Sequence, residues 1–511
     1  MIRPIAAITV LVGVLAAALA VQAPMAAGPA PIQFGVAEDA SKYAEDGGAA
    51  YFRTMADLGM VENRVTVFWD ERDPTAIQEQ GFLDRMMPVA AASGIRIVLS
   101  VYPLHAHAFA TNTSDRIALF SGYVENLALR YPQVRDFVVG NEPNQRRFLQ
   151  PQHAPDGAIL SAQTYARVLA AAYDALKVLN PAIRVAGLAT APGGNDAPAG
   201  AGNESVSPVR FIEALGRAYR ASGRTRPLMD YVDVHVYSAE NPLPLIQRRQ
   251  WPQAGPADLD RLKQAWWDAF HDTPQPLFEE TGPTPGSGPF VRFRLDESGT
   301  QVTVAGSALY TGKENVPPVS EETQARYYAD LVDLIKCDQD VSSLLLFHLI
   351  DEPLLLGFQS GLLRVDGSRR PSYAAVRSAV GRAGACANPH VWRHSLSVNR
   401  ARASFELADR PIRQRRFTFL VRSGEEASIE AGIFRLTDGA PLAASAVRGV
   451  LGGSSAGALL RVSGRVKGNS GRRLVFHGRL EKGRYVFGVL LRATMNPDRT
   501  RLFVSDPFLV R

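Results

Sequence analysis

Cysteine is nearly absent: the chain has two, Cys337 and Cys386, among 511 residues. That excludes a disulfide-dense scaffold, and with no histidine cluster beside them it excludes a cysteine zinc site. One disulfide or two buried thiols remain as readings, and the spacing does not choose between them. Long apolar runs are missing after the first 23 residues, so no later segment reaches the length of a membrane span. No Gly-x-Gly-x-x-Gly follows the first apolar strand, which argues against a dinucleotide-binding sheet. No internal repeat is visible, so a solenoid is not expected. Charge is not extreme either, at 21% of residues and a net +6, while 46% hydrophobic residues suffice for large cores.

The charge that is present is unevenly spread. Residues 390–511 carry about +13 and the remainder about −7. An arginine-rich soluble module is the plain reading, and contact with an anionic cell-wall polymer is the functional one. At the N-terminus, Arg3 precedes an uncharged, Ala-rich run from Ile5 to Ala20. Small residues at Ala18-Leu19-Ala20 and Val21-Gln22-Ala23 suit cleavage. Residues 1–27 are therefore expected to be a signal peptide and the protein to be exported to the medium or cell surface, an uncleaved anchor being the alternative.

From residue 28 to 388, apolar strands alternate with helical stretches. Strands are expected at Ile32–Val36, Arg64–Trp69, Ile95–Tyr102, Asp136–Val139, Ile183–Leu188, Tyr231–Tyr237, Pro276–Glu280 and Leu344–His348. Helices fall between them, as at Ser161–Leu179, where Tyr165, Val168, Leu169, Ala172 and Leu176 recur at helical spacing. A Gly/Pro-rich insertion spans 283–318, with a small hairpin expected at Phe290–Val304. Eight alternations over roughly 350 residues predict a (β/α)8 TIM barrel. Beyond Trp392 the helical period gives way to short β-rich runs split by Gly, Asn and Asp. A small all-β sandwich is expected over 389–511.

A barrel places its chemistry at the C-terminal ends of its strands. Those ends gather Arg64 and Trp69 on the second strand, His105 after the third, and Asn141-Glu142-Pro143 on the fourth. The sixth carries His235 and Tyr237, the seventh Glu279-Glu280-Thr281-Gly282, and the eighth Phe347-His348. Paired carboxylates with aromatic neighbours are what sugar cleavage needs. In this order the motifs resemble those of the clan A retaining glycoside hydrolases, such as the family-five cellulases and family-thirty-nine enzymes. The short runs around Tyr485 and Phe508 resemble the closing strands of Ig-like modules. The clan resemblance covers residues 32–385 and rests on Arg64-x-x-x-x-Trp69, Asn141-Glu142-Pro143, His235-x-Tyr237 and Glu280-x-Gly282.

The resemblance implies a carbohydrate substrate cleaved with retention. Glu142 would be the acid/base and Glu280 the nucleophile, their carboxyls about 5–5.5 Å apart. Asn141 would meet the sugar's 2-hydroxyl and Tyr237 would hydrogen-bond the nucleophile. Arg64, Trp69, His105, His235 and His348 would complete the substrate-binding set. No cofactor, metal or nucleic acid is implied, and a monomer is expected. Two positions depart from the pattern. Glu279 stands where Thr or Ser usually precedes the nucleophile, and Phe347-His348 stands where the eighth strand usually ends in Trp. The competing reading is a carbohydrate-binding protein that kept such a barrel without its activity. The Trp251, Trp266 and Trp267 indoles are further sugar-platform candidates, with at least one of the last two expected in the core.

Overall fold

The structure is a computed structural model. It describes residues 31–197, 203–279, 289–304, 306–384, 386, 390, 392, 402–405, 416–423, 426–436, 442–453, 457–467 and 470–510. The expected signal peptide, residues 1–27, lies outside the described residues.

Eight parallel strands close into a barrel in chain order. They are β1 (Gln33–Ala37), β2 (Glu62–Trp69), β3 (Arg96–Pro103), β4 (Asp136–Val139), β5 (Arg184–Thr190), β6 (Tyr231–His235), β7 (Arg292–Ser298) and β8 (Val341–Leu346). Closure is made by β8 pairing with β1, Phe34 opposite Leu344. A principal helix follows each strand and packs its apolar stripe on the outside of the barrel. The helix Leu160–Leu179 buries Tyr165, Val168, Leu169, Ala172 and Leu176, as its spacing predicts. The helix Glu321–Ile335 starts where the Ser320 hydroxyl accepts from the Thr323 amide at 3.2 Å. Both sides of the strands are covered, so β4 and β8 are buried along their whole length.

The seventh strand corrects the expectation. Of the expected Pro276–Glu280, the described part, residues 276–279, is not a barrel strand, and within it only Phe278 makes a bridge, to Val291. The strand is Arg292–Ser298, inside the region expected to be a hairpin on an insertion. It pairs in parallel with β6 and β8.

The barrel interior is charged. Arg294 of β7 reaches Glu62 of β2 at 2.9 Å, and the two strands are not neighbours, so the ion pair crosses the barrel. Cys337, just past the helix Glu321–Ile335, is disulfide-bonded to Cys386, beyond the helix Pro371–Gly381.

The C-terminal part forms two antiparallel sheets. Its strands are β9 (Arg402–Phe405), β10 (Arg416–Ser423), β11 (Ala427–Arg435), β12 (Leu460–Val466), β13 (Ser470–His477), β14 (Gly483–Ala493), β15 (Thr500–Val504) and β16 (Phe508–Val510). One sheet runs β13-β10-β9. The other runs β12-β11-β14-β15, with β16 also on β14. Phe419, Ile429, Phe476 and Phe487 fill the space between them. One helix, Ala444–Gly452, was not expected in an all-β module. It lays Val447 and Leu451 against Phe434, Val486 and Leu490. The module is tied to the barrel helices by Arg499 on Asp268 at 2.6 Å and Asn496 on Glu213 at 3.0 Å.

Candidate active site

The strand ends open on a cleft of about 820 Å³. Its floor is built from β2, β4, β6 and β7. Past β4 the chain turns sharply, with Gly140 at φ 94° and Glu142 at φ 38°. A left-handed non-glycine residue costs about 1–3 kcal/mol and persists only where its surroundings hold it. Here the Glu142 amide donates to the Ala189 carbonyl at 2.8 Å. Underneath, the buried Tyr165 hydroxyl donates to the Val139 carbonyl at 2.6 Å and accepts from the Leu188 amide at 2.8 Å. A Cβ at Gly140 would stand 2.8 Å from the Tyr165 ring. The strained turn aims Asn141 and Glu142 into the cleft.

Opposite stands Glu297, near the end of β7. Alternation along a strand would send Asp296 and Glu297 to opposite sides. The pairing with β6 slips by one residue between Val234 and His235, and that with β8 slips between Leu295 and Ser298. Such a bulge re-aims a side chain. Both carboxylates therefore enter the interior, where Asp296 lies 3.2 Å from Arg294 and Glu297 lies 2.7 Å from Arg64.

Glu297 is held on both oxygens. Arg64 donates to Oε1 at 2.7 Å, and the Tyr237 hydroxyl donates to Oε2 at 3.1 Å. His235, buried beneath, places Nδ1 2.9 Å from Glu142 Oε1 and 3.4 Å from Glu297 Oε2. One oxygen of each glutamate and the His235 nitrogen all lie within 4.8 Å of one another. Burial opposes charge on Glu297. His235 and Arg64, with the hydrogen bonds from Arg64 and Tyr237, outweigh it and hold the carboxyl below the usual range. Burial first, then the Glu297 charge, pushes the Tyr237 hydroxyl well up, so it stays a donor. Arg64 also donates to Asn141 Oδ1 at 2.7 Å and to Ser100 at 3.0 Å. That orients the Asn141 amide with its NH2 away from Arg64.

Of the residues singled out in the sequence, Arg64, Asn141, Glu142 and Tyr237 line the cleft and His235 bridges its two acids. His348 lines it too. Burial pushes its imidazole down to about 4, so it is a neutral hydrogen-bonding group. Besides His235, which lies beneath the cleft, two expected substrate contacts are not in the lining. Trp69 is fully buried, stacked on Phe109. Its indole fills the layer between the β2 strand and the helix Thr113–Arg130, against Phe120. His105 turns instead to Glu71, with Nδ1 3.1 Å from the carboxylate. Trp266 is core, Trp267 stacks on His271, and neither they nor Trp251 line the cleft. Glu280, expected as the nucleophile, lies outside the described residues. The place beside Tyr237 and Arg64 is taken by Glu297. Glu297-Ser298-Gly299 repeats the Glu-x-Gly spacing used to choose Glu280, so the signal was present twice. Gly299 is required there, since a Cβ would meet the Phe347 carbonyl at 2.4 Å.

Aromatic walls come from Phe347, singled out at the end of the eighth strand, and from Phe68, Tyr102, Phe148 and Phe358, which spacing alone did not reveal. Glu142, His235 and Glu297 could in principle ligate a cation, as could Asp70, Glu71 and His105. In the first group Arg64 already supplies positive charge to Glu297.

No family model and no curated protein sequence matches the chain. Among solved structures it is similar to a family 39 glycoside hydrolase from the gut symbiont Bacteroides cellulosilyticus WH2, with TM-score 0.47, 13% identity, and 88% of this chain and 81% of that one covered. It is also similar to a monomeric beta-xylosidase from Caulobacter crescentus CB15, with TM-score 0.44, 16% identity, and 92% and 98% covered. A third likeness is to an exo-beta-1,4-mannosidase from Opitutaceae bacterium strain TAV5, with TM-score 0.42, 14% identity, and 69% and 60% covered.

Proposed function

We propose that the chain is a retaining β-glycoside hydrolase in which Glu297 is the nucleophile and Glu142 the acid/base. The observation that carries this reading is the approach of the two carboxylates, oxygen to oxygen within 4.8 Å, across His235. Inverting enzymes need about 6.5–9.5 Å between carboxyls to admit a water, and retaining ones about 5–5.5 Å. The electrostatics support the division of roles. Glu297 is surrounded by Arg64, Tyr237 and His235, which favour its anion. Among the described residues Glu142 has one side-chain hydrogen-bond partner, His235, at Oε1.

In the first step a Glu297 oxygen attacks the anomeric carbon. The glycosidic bond breaks and its oxygen leaves with the proton of Glu142. The glycosyl-enzyme ester is then attacked by water, which gives its proton to Glu142 and releases Glu297. Both transition states carry positive charge on the sugar ring. Asn141, whose Oδ1 accepts from Arg64, would offer its NH2 to the hydroxyl next to the anomeric carbon.

The test is product stereochemistry. Proton NMR of an aryl β-glycoside digest should show the β-anomer first. Glu142→Ala and Glu297→Ala should each abolish turnover, and azide should rescue Glu297→Ala with an inverted glycosyl azide. A wild type that yields the α-anomer, or that turns over no glycoside, sinks the reading.

Export belongs to the same proposal. The Cys337–Cys386 disulfide supports it, since such bonds persist in oxidising compartments. A mature protein that begins at Met1 would count against cleavage. The basic C-terminal module is proposed to touch anionic wall polymer, a contact that salt should weaken.

A further inference from the structure

We propose that Glu38 is the glycone-binding residue of this cleft and that the glycone it selects is an uncharged, hydroxyl-rich sugar. The inference rests on the glycosidase reading above. Glu38 follows β1, and its carboxyl lines the cleft. One oxygen, Oε2, accepts three hydrogen bonds: from the Leu349 amide at 2.8 Å, the Ile350 amide at 3.2 Å and the Tyr51 hydroxyl at 2.9 Å. The other oxygen, Oε1, has no partner among the described residues and is not sealed off. A side chain pinned by one oxygen with the second left open has the form of a ligand contact.

Its place is next to the reacting centre. The Glu38 amide donates to the Arg64 carbonyl at 3.1 Å, and Arg64 holds Glu297. The amides that pin Glu38 directly follow His348, which also lines the cleft. Glu38 and His348 therefore line the same cleft as Glu297.

Three donors on Oε2 assign it as the carbonyl-like oxygen, so a proton on this carboxyl sits on Oε1 and faces the cleft. Burial, opposed by the three donors and helped by the neighbouring Asp39, pushes the carboxyl up to about 8. Below that pH Glu38 offers a sugar both an O–H donor and an acceptor lone pair.

The charges around it favour a neutral ring. Beside the neutral Glu38, the β1 and β8 ends contribute Asp39, Asp351 and Glu352 to the lining. Asp351 is matched by Arg370 at 2.6 Å and Asp39 by Lys42 at 3.5 Å, which leaves Glu352. Among the described lining residues the cations are Arg64, already committed to Glu297, Asn141 and Ser100, and Arg147, which follows β4. A uronate would bring its carboxylate near Glu352 with no unpaired cation among the described residues on the Glu38 side.

The test uses the purified full chain and aryl β-xyloside, glucoside, galactoside, mannoside and glucuronide. At least one neutral glycoside should be turned over, and the glucuronide should be the poorest. Glu38→Ala should lower kcat/KM on the best neutral glycoside roughly tenfold, the scale of one hydrogen bond. Glu38→Gln, which keeps an acceptor for the three donors and an NH2 toward the cleft, should recover most of that loss. If Glu38→Ala keeps wild-type kcat/KM while Glu142→Ala and Glu297→Ala are inactive, the Glu38 assignment falls and the glycosidase reading stands. If the wild type prefers the glucuronide, the uncharged-glycone proposal falls even where Glu38→Ala does not fold. A wild type inactive on every glycoside overturns both.

Discussion

Tyr237→Phe isolates one donor from the environment of Glu297. The substitution keeps the ring and removes a hydroxyl that donates to Glu297 Oε2 at 3.1 Å. A hydrogen bond to a charged group has a net worth of about 1.5–3 kcal/mol. One pKa unit is about 1.36 kcal/mol, so the full range corresponds to about one to two units. Arg64 still grips Oε1 at 2.7 Å and His235 still stands 3.4 Å from Oε2. The lower end therefore applies, about one unit. The sign follows from the role. The nucleophile must be ionised, and losing a donor to the anion raises its pKa, so the acid limb of kcat/KM moves to higher pH. The assay is a pH profile of kcat/KM on an aryl β-glycoside for wild type and variant, with a thermal melt to verify folding. An acid limb that stays put, or moves to lower pH, refutes the placement of Tyr237 on the nucleophile.

Arg64→Met should abolish activity and cost about 3–5 kcal/mol of stability, because it leaves the buried Glu297 without its arginine partner and Asp296 with Arg294 alone; chemical denaturation measures it. Glu280→Ala should retain wild-type turnover, and an inactive but folded Glu280→Ala would return the nucleophile to that position. Cys337→Ser opens a cross-link between residues 49 apart, which chain entropy values at about 4 kcal/mol, read as a fall in denaturation midpoint. Glu38, with its carboxyl raised to about 8 in the fold against 4.5 as its ordinary value, contributes stability that is full below 4.5 and lost as pH rises towards 8. Glu38→Gln has no such loss, so its melting temperature relative to wild type should climb between those two pH values; a difference that does not vary with pH would contradict the buried, protonated Glu38.

Seven of the eight barrel strands were legible because buried parallel strands are continuous apolar runs, as in Phe137-Val138-Val139 and Leu344-Leu345-Leu346. The seventh was not. Arg292-Phe293-Arg294-Leu295-Asp296-Glu297 alternates charge with apolar residues, the pattern of a strand with one wet face. Phe278 beside Glu279-Glu280 looked more like a barrel strand and carried the same Glu-x-Gly signature. The resemblance also placed Trp69 among the substrate contacts, but it lies five residues from Arg64, so strand alternation sends the two side chains to opposite faces, and Trp69 packs on Phe120 on the helix side. Glu38 was missed for another reason. It lies in no motif, and only closure of the barrel brings Leu349 and Ile350 to it across 311 and 312 residues.

The charges that hid the seventh strand are also what makes its position intelligible. Arg294 lies between Glu62 and Asp296, at 2.9 and 3.2 Å, and Asp296 faces Arg64 at 3.7 Å. Asp233 lies against Asp296 and is pushed well up, first by burial and then by that neighbour's charge, so it is the protonated member of the pair. The charged members then run from Glu62 through Arg294, Asp296 and Arg64 to Glu297, alternating in sign from inside the barrel to its catalytic end. Buried ions are tolerated only when paired, and removing one strands its neighbours. A bulge that admitted Glu297 without Asp296 would leave Arg64 and Arg294 with one carboxylate fewer. An Asp296→Asn substitution removes a negative charge that competes with Glu297 for Arg64, so it should lower the acid limb of activity, while Asp233→Asn, replacing a neutral carboxyl, should leave that limb where it is. A larger shift from Asp233→Asn than from Asp296→Asn would show that the proton sits on the other acid and that the column is ordered differently.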